Sequence, residues 1–117
     1  MRWESAVWAK AAVIGLLLMS SSAHAGYITY SQWASFEPGR QSIYIAGAFD
    51  LLVSYAPDAA AQKRGQHFLR CVMDADMKNG QLSDNVLAFA RATPEVQKYS
   101  PMAALIRYLN KLCGEPG

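Results

Sequence analysis

The sequence predicts an all-α fold: a compact bundle of four to five short helices with one disulfide, after an N-terminal signal peptide. Three observations predict it. Apolar residues recur at helical spacing in several segments, and no segment alternates with the period of two that a half-buried strand requires. Pro, Gly and Asn interrupt these segments at short intervals, so each helix must be short. Two cysteines, Cys71 and Cys113, follow a start with the composition of an export signal, and small exported domains compensate for small cores with disulfides.

The export signal has three parts. Residues 1–10 carry Arg2 and Lys10 against Glu4, residues 11–19 are the unbroken apolar run AAVIGLLLM, and residues 20–25 are small and end in Ala-His-Ala. A basic start, a short apolar run and an A-x-A end define a secretory signal peptide. The run is shorter than the roughly 20 apolar residues of a membrane span. Cleavage is expected between Ala25 and Gly26, leaving a single domain over residues 26–117 and placing it in the periplasm. The cut removes Arg2, Lys10 and Glu4, so the formal charge of +2 falls to +1. The remaining cations are scattered, with no basic run interleaved with aromatics, so nucleic acid is not an expected partner. No membrane association is expected after cleavage.

Each element has its own signals. Residues 28–36 hold a short helix, with Thr29 or Ser31 as N-cap and Trp33 and Phe36 on one face. Pro38 and Gly39 then read as a break over residues 37–40. Residues 41–56 form a helix with apolar side chains around nearly its whole circumference, which marks a central helix packed on several sides. Residues 57–66 are small and polar and read in part as loop. Phe68, Leu69, Val72 and Met73 mark helical turns leading through Cys71, and Lys78-Asn79-Gly80 reads as a stop with a left-handed cap. Residues 81–93 are an amphipathic helix with Leu82, Val86, Phe89 and Ala90 in one stripe, ended by Pro94. Residues 94–99 form one further turn. The last helix starts with Ser100 as N-cap and Pro101 at the first helical position. It carries the stripe Met102, Leu105, Ile106, Leu109, Leu112 and Cys113, and Gly114 terminates it.

Chemistry is sparse. No nucleophile elbow, HExxH, CxxC or phosphate loop is present, and no enzymatic activity, cofactor or metal is expected. Asp74 and Asp76 sit at positions one and three of a calcium-loop template, but Lys78 falls on the fifth position and Asn79 on the required glycine. Cys71 and Cys113 are most simply one disulfide. Closing a loop of about 43 residues is worth roughly 4 kcal/mol in the chain-entropy model. A catalytic cysteine paired with His67 is compatible with the spacing, although nothing marks either residue as activated. The aromatics Trp33, Tyr44, Phe49, Phe68, Phe89, Tyr99 and Tyr108 read as core and rim rather than as a ligand cage. Within YIAGAFDLL (residues 44–52), Gly47 and Asp50 interrupt an otherwise apolar helix. Gly47 reads as a point of close approach for another helix or a second subunit. Asp50 reads as a carboxylate paired with backbone or Arg donors, since an unpaired buried charge is costly.

Tyr44, Ile45, Gly47 and Asp50 resemble the Tyr-Ile-x-Gly-x-x-Asp signature of the central helix of the Rap/Tai-type immunity proteins of type VI secretion systems. Residues 81–113, QLSDNVLAFARATPEVQKYSPMAALIRYLNKLC, with Cys71 before them, are similar to that family's second half. The resemblance covers residues 44–113. It implies a helical periplasmic domain with a Cys71–Cys113 disulfide, usually a homodimer, that neutralises a secreted peptidoglycan amidase effector by occluding its active cleft. Contact would come from loops, for which residues 57–66 and 78–82 are the candidates. The competing expectation is a small periplasmic acid-stress chaperone, or a helical protein with another partner.

Overall fold

The computed structural model describes residues 28–116. The expected signal peptide and its Ala25–Gly26 cleavage point lie outside the described residues. Five α-helices and one 3₁₀ turn follow in order: α1 (Tyr30–Ala34), α2 (Pro38–Ser54), α3 (Ala59–Asp74), α4 (Asn79–Ala92), the 3₁₀ turn (Pro94–Lys98) and α5 (Pro101–Cys113). No strand occurs among the described residues, and Cys71 and Cys113 are joined, with Cα atoms 5.8 Å apart.

The helix starts follow from their caps. The Thr29 hydroxyl accepts from the Gln32 amide (3.2 Å) while Gln32 Oε1 accepts from the Thr29 amide (2.9 Å), a reciprocal capping box that lets α1 form with five residues. Asp58 caps α3 through the Ala61 amide (2.8 Å), and Ser100 caps α5 through the Ala103 amide (3.2 Å).

Three boundaries differ from the sequence expectation. Pro38 does not break the chain but begins α2, because the first helical position has no partner for its N–H and suits the fixed φ of proline. Residues 59–66 are helix rather than loop, because Asp58 supplies a cap and alanines follow it. Asn79 and Gly80 open α4 instead of closing α3. The α3 stop lies three residues earlier, where the Asp76 amide donates to Met73 O (3.0 Å) and the Met77 amide to Val72 O (3.3 Å). This is a Schellman cap with Asp76 (φ 50°) in the left-handed position that glycine ordinarily takes.

Helix α2 is central and packs against α3, α4 and α5. Gly80 at the start of α4 lies beside Ser42 near the start of α2, and Asn85 of α4 reaches Tyr108 near the end of α5. Trp33, Ile45, Phe68, Val86, Ala90, Ala104, Leu105 and Leu109 form the fully buried centre. Helix α1 is fastened to α2 by an exchange around Gln41. Trp33 Nε1 donates to Gln41 O (3.1 Å), and buried Gln41 Nε2 donates to Ala34 O (2.9 Å). Of the described glycines, Gly65 sits closest to another helix: an added Cβ would lie 3.0 Å from Val53 O. Backbone atoms cannot yield as a side-chain tip can, so glycine is what lets α3 lie against α2.

Candidate interaction surface

One side of α2 packs and the other does not. Gln41, Ile45, Phe49 and Leu52 point into the core. On the opposite side, Ile43, Gly47, Leu51 and Tyr55 recur at every fourth residue and form one stripe. Ile43 is 75% exposed, Leu51 57% and Tyr55 67%. The helix is therefore not packed all round, which corrects the reading of its circumference.

Two shallow hollows flank this stripe. Ile28, Phe36, Arg40, Ile43 and Tyr44 line one of about 380 Å³. Its edge is stiffened by the Arg40 guanidinium, which lies 4.5 Å from the centre of the Phe36 ring. Tyr44, Gly47, Ala48, Leu51 and Met102 of α5 line the second, of about 330 Å³. The exposed apolar side chains here adjoin one another and the two hollows rather than standing singly, which makes this face the candidate interaction surface.

The signature residues divide between the two sides. Ile45 is fully buried and Tyr44 half-buried, while Gly47 and Asp50 are exposed. Within the chain nothing lies within 4 Å of a Cβ built on Gly47, so Gly47 brings no helix of its own chain closer; Gly65 does. Among the described residues Asp50 has neither an ion pair nor a hydrogen bond from its side chain. The paired-carboxylate reading is corrected: on the outward face of α2 water solvates Asp50, and no partner is required.

Cys71 and Cys113 tie α3 to the end of α5, and among the described residues no free thiol remains. The cysteine–histidine nucleophile reading therefore falls. His67 lies one turn before Cys71 and does something else. Its Nε2 lies 3.1 Å from Cys113 O and 2.9 Å from Gly114 O, carbonyls that the helix end leaves without partners. Gln41, Gly65 and His67 hold the scaffold, and sequence periodicity flagged none of them because their partners are distant in the chain.

Asp74 ends α3, Asp76 holds the cap and Lys78 precedes α4, so the calcium-like segment is divided between two helices. Among the described residues no three His, Cys, Asp or Glu side chains gather in a metal-holding group. None of the described helices is long and apolar enough to cross a membrane. Of the loop candidates 57–66 and 78–82, only residues 57, 58 and 78 lie outside helices, within the turns at 55–58 and 75–78. No protein-family model, curated protein or solved structure matches this chain.

Proposed function

We propose that this chain is an exported protein-binding domain of the immunity type, which neutralises a peptidoglycan amidase delivered by type VI secretion. It acts in the periplasm as a pair of copies and covers the catalytic cleft of the enzyme; it catalyses nothing itself. The supporting observation is the outward stripe Ile43, Gly47, Leu51 and Tyr55 on the helix that carries the Tyr44-Ile45-x-Gly47-x-x-Asp50 signature. An apolar helix face beside Gly47 suits a second helix, since the absent side chain lets a partner backbone come near. The disulfide and the short turns keep the domain stiff, and steric occlusion needs a stiff plug. The turns at 55–58 and 75–78 lie at opposite ends of α3, so one of the two is the protrusion that enters a cleft.

The test is whether this protein inhibits peptidoglycan hydrolysis by secreted amidases of its own source, with a deletion strain placed in contact with its siblings. The reading predicts a stable complex, loss of hydrolysis, and lysis of the deletion strain. Absence of a complex together with survival of that strain would refute it. The exposed face also fits an acid-stress chaperone, which would gain apolar exposure on acidification. A dye-binding titration to low pH with no rise removes that alternative.

A further inference from the structure

A second groove lies away from the α2 stripe, between α4 and α5. It has a volume of about 560 Å³, within the range of roughly 300–1,000 Å³ typical of small-ligand sites. Its floor is the ring pair Phe89 and Tyr108, with centroids 6.0 Å apart and planes tilted by 60°. Ala88 and Leu112 form apolar walls, and Asn85 and Lys111 provide the polar groups.

The hydrogen bonds determine which polar atoms face a ligand. Asn85 Nδ2 donates to Tyr108 Oη (3.1 Å) and lies 3.7 Å from Met77 Sδ. These two contacts orient the amide and make the Tyr108 oxygen an acceptor, which leaves its proton to be donated elsewhere. Asn85 Oδ1 keeps its acceptor capacity. Lys111 Nζ stands 5.5 Å from the Phe89 ring centre and, among the described residues, makes no ion pair. The groove thus offers two donors, one of them cationic, one acceptor and an aromatic floor.

We infer that this groove binds the C-terminus of a peptide with an apolar last residue. The terminal carboxylate takes Lys111 and the Tyr108 hydroxyl, the last amide N–H reaches Asn85 Oδ1, and the apolar side chain rests on Phe89. A single cation complements a single negative charge, and a carboxylate supplies two acceptor oxygens for the two donors. A phosphate, with more charge and three oxygens, calls for more cations or backbone donors than the groove presents.

The full chain with its disulfide closed is titrated with the tripeptide Ala-Ala-Phe and with its C-terminal amide, followed by NMR shifts. The expected result is saturable binding of the free acid, shifts at Phe89 and Tyr108, and an amide roughly tenfold weaker. Lys111→Gln reduces the acid to the affinity of the amide. Tyr108→Phe, which removes only the hydroxyl, weakens the acid more than the amide and serves as an independent check if Lys111→Gln perturbs folding. Equal affinity for acid and amide, or no shifts in the groove, overturns the assignment. Binding of 3-phenylpropionate as tightly as the tripeptide overturns the peptide class in favour of a small acid.

Discussion

Two glycines on neighbouring helices carry opposite expectations. A Cβ at Gly65 would lie 3.0 Å from the α2 backbone, so Gly65→Ala must shift α3 against α2 by a few tenths of an ångström. We expect a loss of about 1–3 kcal/mol, the cost of overpacking a well-packed site, measurable by urea denaturation. Gly47 faces open space. There alanine improves helix propensity, so Gly47→Ala stabilises the isolated chain by up to about 1 kcal/mol while weakening any pairing through that face. Tyr30 supplies a pH expectation. Burial pushes its hydroxyl above the usual 10.0, and the charge of Arg91 opposes the shift. The neutral phenol is thus favoured in the folded state. Its contribution is complete below pH 10.0, where the unfolded tyrosine ionises, and is lost as pH rises through the higher folded value. Tyr30→Phe flattens this alkaline decline, which thermal melts on either side of pH 10.0 would reveal.

Among the elements, the ends of α3 and α5 matter most. The Schellman cap of α3 places Asp76 in a conformation in which a side chain is strained, although Asp tolerates it better than most residues. Asp76→Gly should therefore gain up to about 1 kcal/mol. Its surface pair with Lys78, at 3.3 Å, is highly exposed and gives up little. The disulfide fastens the same two helices, with His67 gripping the terminal carbonyls of α5 beside it. Replacing both cysteines by serine should cost about 4 kcal/mol in the chain-entropy account, a large share of the roughly 5–15 kcal/mol that stabilise a domain. The double variant is expected to melt markedly lower, and a shift of less than a few degrees would mean that core packing alone holds α5.

At the scale of the whole molecule, the apolar stripe of α2 separates folding from binding. Ile43 and Leu51 project outward, so Ile43→Glu and Leu51→Glu should leave melting nearly unchanged, as surface substitutions do. If the proposed pairing runs through this face, both should abolish it in sedimentation and weaken any partner complex. A large drop in melting temperature instead would show that the face supports the monomer. The α4/α5 groove lies on other residues, so these variants should retain peptide binding there. The two surfaces can be tested independently.

Local signals are sufficient to specify much of this protein. Helical periodicity and the absence of strand patterning set the all-α class. Ser100 and Pro101 determine where α5 begins, Thr29 and Ser31 are the two caps on offer for α1, of which the structure uses Thr29, and two cysteines are most simply one bond. These features depend on residues within a turn of one another, or on a count of two. What tertiary structure decided depends on distant partners. Asp58 and the alanines after it make residues 59–66 helical, but where that helix lies is set by Gly65 against Val53. Trp33 and Gln41 join two helices across a turn that proline seemed to break. Hydrophobicity alone could not assign the faces of α2, because a side chain is buried only where another element covers it; α3, α4 and α5 cover one side and leave Ile43, Leu51 and Tyr55 exposed.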